Sequence, residues 1–377
     1  MMDKTLREYN YLDEAKVIKS VVLPKKILVS VSMITYNHEK YIEEAINGVL
    51  MQETDFEIEL IISNDNSPDQ TDAVIQRIMS EHPRGCWIKY IRNEINIGMM
   101  ANVIENFQHA RGEYIAICEG DDYWINPLKL QLQIDEMRRH PECDLSFHPA
   151  IIVSDSLRTK KVTAFHSIKN KIFTTTQIIK GGGSFCPTAS LLFKKKVIES
   201  LPKFYCNAPV GDYYLQIFGS ARGGAVYLNK VMAAYRVNNA ASWSVGMNDV
   251  EKRKIFFEKF IYSLNELNIF LNGKYKKEID SMVEKQYYEM SLFYLTGGYR
   301  ENYKLLFNDY FKIYLSKFSK MRFFYYVGLS TSSPEIIKYF NKFFFDRPIF
   351  FIRIFNKILK IVCLKKILLD IERNQVV

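Results

Sequence analysis

The six cysteines among 377 residues never form a Cys-x-x-Cys pair, so neither a zinc ribbon nor a disulfide framework can be read from their spacing. Cys86, Cys118, Cys143, Cys186, Cys206 and Cys363 stand singly, a usage that fits a reducing compartment. No stretch of about eighteen apolar residues is free of charge, which disfavours a spanning helix. Residues 1–26 mix acids and bases around no long apolar core and do not read as a secretory signal. No repeat of fixed period emerges, although a solenoid of helical pairs after Glu251 stays open. A nucleic-acid recognition motif is also missing, so no nucleic-acid partner is expected.

Apolar residues make up 48% of the chain and charged residues 25%, the balance of a globular protein. The length allows one large domain with a sizeable core plus an appendage. The net charge of +9 is unevenly placed. From Glu251 to Val377 there are 23 Lys and Arg against 13 Asp and Glu, whereas the first 250 residues are close to neutral. The basic excess therefore concerns a partner of the last third.

Between Ile27 and Asn126 apolar runs alternate with helical periodicity. Ile27 to Thr35, Phe56 to Ser63, Trp87 to Arg92 and Tyr114 to Glu119 read as strands. Glu39 to Met51, Thr71 to Ser80 and Met99 to Ala110 read as helices. This order predicts an α/β fold with a mostly parallel, Rossmann-like sheet and helices on both faces. Beyond it, Pro127 to Arg139 reads as helix, Leu145 to Val153 as extended and Phe165 to Phe185 as irregular. Thr188 to Phe193 reads as a strand, Val210 to Gly219 as a helix and Ala225 to Tyr235 as extended. From Glu251 onward the pattern is helical. The expected division is an extension over 1–26, an α/β domain over 27–248 and a basic, aromatic-rich helical region over 249–377.

Ligands in such sheets bind beyond the carboxyl ends of the strands. Thr35, Tyr36, Asn37, Asp65, Asp121 and Asp122 all fall at those ends. In Cys118-Glu119-Gly120-Asp121-Asp122-Tyr123-Trp124, three carboxylates within four residues repel one another unless a cation joins them. Mg²⁺ or Mn²⁺ completed by substrate phosphates is the partner that fits, against the plainer reading of a solvated acidic turn. Asp65 reads either as a ligand contact or as a helix cap. Asn37 could equally cap the helix after it, and Asp212 could cap the helix it opens. Asn96-Ile97-Gly98 reads as a plain turn or as a backbone approach to ligand.

These residues carry a resemblance. Glu119-Gly120-Asp121-Asp122-Tyr123-Trp124, followed by Pro127, Lys129, Leu130 and Gln131, resembles the acidic motif of family 2 glycosyltransferases of GT-A fold that build bacterial surface polysaccharides. Val29 to Asn37, Ile61 to Ser67, Asn96 to Gly98, Val210 to Leu215 and Trp243-Ser244 match in the family's order, covering about 220 residues. The resemblance implies a nucleotide-sugar donor, UDP-linked, held by Thr35, Tyr36, Asn37, Asp65, Asn96, Gly98 and Asp121. It implies Mn²⁺ or Mg²⁺ on Asp121 and Asp122, with Glu119 either a further ligand or a shaper of the turn. Asp212 would be the general base of an inverting, in-line transfer to a growing, lipid-linked surface glycan. The family histidine after Tyr235-Arg236 is replaced by Asn238, which cannot supply a charge. That motivates the alternative of a weakened nucleotide-sugar-binding or scaffolding protein, with Arg236 open to compensate by pairing with phosphate. Residues 349–369 place Phe351, Ile354, Phe355, Ile358, Ile361 and Val362 on one face and Arg353, Lys357 and Lys360 on another. This reads either as an amphipathic helix on an anionic membrane, at the inner face of the cytoplasmic membrane, or as a helix packed on the domain.

Overall fold

The computed structural model describes residues 17–19, 26–154, 161–237, 247–299, 301–303 and 305–306. The chain divides into two compact units, Met1–Met282 and Val283–Val377.

The first unit is built on a nine-stranded sheet. Its strands are β1 (Val17–Lys19), β2 (Ile27–Thr35), β3 (Glu57–Asn64), β4 (Ile88–Arg92), β5 (Tyr114–Ile117), β7 (Leu145–Phe147), β10 (Lys171–Phe173), β11 (Leu192–Lys194) and β12 (Ala225–Tyr227). The spatial order is β1-β4-β3-β2-β5-β11-β7-β12-β10. Strands β4, β3, β2 and β5 are mutually parallel, while β11 runs antiparallel between β5 and β7. A second sheet of four strands has the order β6 (Tyr123–Trp124), β13 (Ala233–Arg236), β8 (Ala150–Val153) and β9 (Lys161–Thr163).

The parallel strands are connected by α1 (Ile42–Leu50), α2 (Thr71–Glu81) and α3 (Met99–Gln108). Strand β2 is buried along almost its whole length, as a strand covered on both faces must be. Val29, Val31 and Met33 share one core with Ile42 and Ile46 of α1 and with Leu60 and Ile62 of β3. On the other side of the parallel strands α3 packs against β2 and β3. There the Asn106 amide donates to the carbonyl of Ile61 and the hydroxyl of Ser63, so the nitrogen of this buried polar side chain is paired.

Several boundaries differ from expectation for identifiable reasons. Helix α1 begins at Ile42 rather than Glu39, because the His38 carbonyl first accepts from the N–H groups of both Tyr41 and Ile42. The stretch Leu145 to Val153 is two strands in different sheets, β7 and β8, separated at His148-Pro149. Ala225 to Tyr235 divides in the same way into β12 and β13. The segment expected to be irregular, Phe165 to Phe185, contains β10 and α5 (Thr175–Gly181), the latter opened by a Thr174–Gln177 capping box.

Farther along are α4 (Lys129–Arg139), α6 (Lys196–Glu199), α7 (Asp212–Ser220), α8 (Val250–Phe270) and α9 (Lys276–Gly297). Phe260 of α8 stacks on Tyr213 of α7, with ring centroids 5.7 Å apart. Of the second unit the described residues comprise the end of α9 and a few residues beyond it, with Phe293, Tyr294 and Tyr299 in mutual ring contact. No helix among the described residues is long and apolar enough to cross a membrane. Asn238, Trp243-Ser244 and the basic segment 349–369 lie outside the described residues.

Candidate active site

The carboxyl ends of β2, β3 and β5 converge, and the backbone ties them together. The Asp65 N–H donates to the Thr35 carbonyl, the Cys118 N–H to that of Ser32 and the Gly120 N–H to that of Ile34. The acidic turn therefore continues alongside β2 after β5 has ended. Gly120 is required there by space. A Cβ at that position would sit 2.7 Å from Thr35 Oγ1 and 2.9 Å from His38 Nδ1.

The loop after β2 and the loop after β3 are zipped together. The Asn37 N–H donates to Ser67 Oγ, the His38 N–H to Thr71 Oγ1 and the Glu39 N–H to Asp69 Oδ2. Asn37 and Asn66 both adopt left-handed backbone, φ 60° and 55°, which Asn tolerates better than most residues. Asn37 thus turns the chain and makes no side-chain cap to α1. Thr35 is buried and its hydroxyl meets His38 Nδ1, while Tyr36 is 44% exposed.

Asp65 is buried. Its Oδ1 accepts from the Ile97 N–H at 2.8 Å and from the Asn93 amide at 3.1 Å, and its Oδ2 accepts from the Gly98 N–H at 2.9 Å. The Asn96 amide closes on the Asp65 carbonyl. Asp65 thereby gathers Asn96, Ile97 and Gly98 onto the end of β3, and caps no helix of its own. Gly98 has φ 87°, and a Cβ there would meet nothing within 4 Å. Its backbone conformation, rather than crowding, calls for glycine. Arg92, at the end of β4, is paired with Asp72, which also accepts from the Tyr90 hydroxyl.

Within the acidic turn the carboxylates differ. Asp122 is buried, its Oδ1 accepts from the Arg236 N–H at 2.8 Å, and its Oδ2 is enclosed without a hydrogen-bond partner. Burial, followed by Asp121 and Glu119, pushes the Asp122 carboxyl well above the usual carboxylate range. Glu119 and Asp121 are half-buried. Burial raises Glu119 to about 8, and the charges of Asp121 and Asp212 add to the effect. A buried carboxylate oxygen with no donor, next to two further carboxylates, suits a divalent cation. Among the described residues no three His, Cys, Asp or Glu side chains are placed to hold a metal ion by themselves, and a cation shared with substrate phosphates needs fewer protein ligands.

Asp212 is the first residue of α7, after the N-cap Gly211. Its Oδ2 accepts from the Thr188 hydroxyl at 3.0 Å and its Oδ1 from the Tyr213 N–H at 2.7 Å. Burial raises its proton affinity, and those two donors only partly offset the rise. Distant in sequence, Asp212 and Glu119 nevertheless feel each other's charge. The structure thus brings the acidic turn and Asp212 to one place and the Thr35–Asn37, Asp65 and Asn96–Gly98 group to the adjoining strand ends.

Three side chains here were not singled out from the sequence as site residues. His38 packs on Gly120, and burial lowers its pKa although Asp121 and Asp69 pull the other way. Thr188 orients Asp212. Tyr235 feels the carboxylates of both the turn and Asp212. Arg236 is not available to compensate for a missing histidine. Its Nε donates to the Asp121 carbonyl, its Nη2 to Glu44 Oε2 at 2.6 Å, and its guanidinium lies over the Tyr41 ring. Only Tyr235-Arg236 carried a sequence signal, as part of the family's order.

Comparison with known proteins agrees with this architecture. Residues 30–201 match the family described as glycosyl transferase family 2. An uncharacterized protein of Mycobacterium tuberculosis is 33% identical over 224 residues, 59% of this chain and 62% of that relative, so the chain spans less than two thirds of its length. The GalNAc(5)-diNAcBac-PP-undecaprenol beta-1,3-glucosyltransferase of Campylobacter jejuni is 26% identical over 291 residues, 74% of this chain and 87% of the relative. Among solved structures, S. aureus TarS 1–349 in complex with UDP-GlcNAc superposes with TM-score 0.55 at 18% identity, covering 70% of this chain and 73% of that one. That likeness is one of fold, and it is the GT-A-like α/β architecture derived above. Over residues 30–201 the chain thus matches glycosyl transferase family 2 in sequence, and it shares that GT-A-like architecture in fold.

Proposed function

We propose that this chain is an inverting, metal-dependent glycosyltransferase that moves a hexose or N-acetylhexosamine from a UDP-linked donor to a hydroxyl of a growing, lipid-linked surface glycan. The observation that carries the reading is the nearness of Asp212 to the Glu119–Asp121–Asp122 turn, close enough for its charge to raise the Glu119 carboxyl further after burial. Thr35, Tyr36, Asn37, Asp65 and the Asn96–Gly98 turn form the nucleotide end of the cleft, with Tyr36 against the base. Asp121 and Asp122, with Glu119 beside them, would hold Mn²⁺ or Mg²⁺, which when bound neutralises charge on the diphosphate.

Asp212, oriented by Thr188, accepts the proton of the acceptor hydroxyl. As that oxygen bonds to the anomeric carbon, the bond from this carbon to the phosphate oxygen breaks. The nucleoside diphosphate leaves with the electron pair, and configuration inverts. Raised proton affinity at Asp212 suits a base that must hold a hydroxyl proton during transfer. The lipid-linked acceptor is supported by the name of the Campylobacter relative and by the basic last third of the chain, which suits an anionic membrane surface on the cytoplasmic side.

The test is nucleoside diphosphate release from UDP-, GDP- and dTDP-sugars with Mn²⁺, Mg²⁺ or EDTA. Metal-dependent release from a UDP-sugar is expected. Asp212→Asn should lower kcat about 100- to 10,000-fold, the usual weight of a general base, while donor affinity stays within about twofold. Donor affinity lost in parallel with kcat would assign Asp212 to binding. Tight UDP binding by the wild type without turnover, acceptor glycans supplied, would favour a binding protein.

A further inference from the structure

Strand β13 runs beside the acidic turn, and its consecutive side chains point to opposite faces. Arg236 faces α1, where Glu44 holds its guanidinium. Tyr235, directly before it, faces the other way and is 36% exposed. Its phenol lies within electrostatic reach of Asp122, Glu119, Asp212 and Asp121. The strand also packs beside the Thr188–Ser190 turn, whose Thr188 holds Asp212. Tyr235 therefore adjoins the interval between the carboxylates that would face the diphosphate and the carboxylate that would face the acceptor. In an in-line transfer the migrating sugar has to occupy that interval.

We propose that Tyr235 is a donor-sugar contact, its ring covering an apolar C–H face of the transferred hexose and its hydroxyl donating to a sugar oxygen. This rests on the nucleotide-sugar reading above. The surroundings make such a donor useful. Ionised carboxylates only accept hydrogen bonds, whereas sugar oxygens also require donors. A tyrosine phenol keeps its proton at neutral pH and so can supply one. Its position is fixed through its neighbour, because the Arg236 N–H and Nε are bonded to Asp122 Oδ1 and the Asp121 carbonyl. Other tyrosines nearby do not fit the role. Tyr36 lies at the nucleotide end, and Tyr205 is wholly buried behind Gly211.

The experiment compares wild type, Tyr235→Phe and Tyr235→Leu in the full chain, by calorimetric titration with UDP, UDP-glucose and UDP-N-acetylglucosamine in the presence of Mn²⁺. UDP affinity should remain within about twofold of wild type in both variants. Affinity for the preferred UDP-sugar should fall about 5- to 10-fold in Tyr235→Leu, the size of one aromatic contact. Tyr235→Phe, which keeps the ring and loses the hydroxyl, should fall about 2- to 3-fold. Equal losses for UDP and UDP-sugar in Tyr235→Leu, or no loss for either, would overturn the assignment. Failure of the wild type to bind UDP would instead remove the nucleotide-sugar reading, and this inference with it.

Discussion

Lys129 has no exposed surface, and its ammonium sits 2.7 Å from Gln133 Oε1 and 4.0 Å from the centroid of the Trp124 ring. Burial lowers its pKa to about 7, only partly countered by the nearby Cys118. An unfolded lysine titrates near 10.4. Between about pH 7 and 10 the unfolded chain therefore holds a proton that the folded chain has released, and this residue makes stability rise with pH across that window. Lys129→Met keeps the apolar volume and removes the titration. Relative to the variant, wild type should gain about 2–3 kcal/mol between pH 7 and pH 9.5, read from urea unfolding midpoints and slopes. Parallel pH profiles for the two proteins would refute it. In the sequence, Lys129 was legible only as part of a motif, because nothing along the chain reports that its side chain is enclosed. Asp65 is similar. Its place at the end of an apolar run was readable, whereas its bonds to the Ile97 and Gly98 N–H groups join segments some thirty residues apart.

At the scale of elements, the acidic turn is held by a strand and a helix remote from it in sequence. Arg236, on β13, bonds Asp122 through its N–H, Asp121 through Nε and Glu44 of α1 through Nη2. A lysine there keeps the charge but lacks the planar fork that makes both side-chain contacts. Arg236→Lys should weaken Mn²⁺ binding in the presence of UDP about 10-fold or more, as loss of a group supporting metal ligands commonly does. Electron paramagnetic resonance titration of free Mn²⁺ would measure this, with the melting temperature changing by only a few degrees. Unchanged Mn²⁺ affinity would show that the turn keeps its shape unaided. Helices α1, α2 and α3 and the parallel strands were largely legible, since periodicity fixes burial on one face or both. The division of Leu145–Val153 and of Ala225–Tyr235 between two sheets was not. Each remains an extended apolar run, and the change of sheet depends on partners that β6 and β11 supply.

For the whole molecule, the basic excess of the last third remains the feature that most directly concerns a partner. Full-length protein should be retained on vesicles containing phosphatidylglycerol and less so at higher salt. Replacing Lys357, Lys360, Lys365 and Lys366 together by Gln should lower retention about 10-fold or more, each base near the headgroups contributing on the order of 1 kcal/mol. Equal retention on neutral vesicles, or no retention on either, would remove the membrane partner. The sequence by itself determined the α/β class, the parallel core strands and the clustering of candidate residues at their carboxyl ends. Those follow from local periodicity and from the rule that loops at one end of such a sheet meet. Only the tertiary structure decided which carboxylate oxygen is enclosed without a donor and that Arg236 is already committed to the acidic turn. It also brought Tyr235 near both that turn and Asp212. Burial and long-range hydrogen bonding are properties of the folded packing, and no window of sequence contains them.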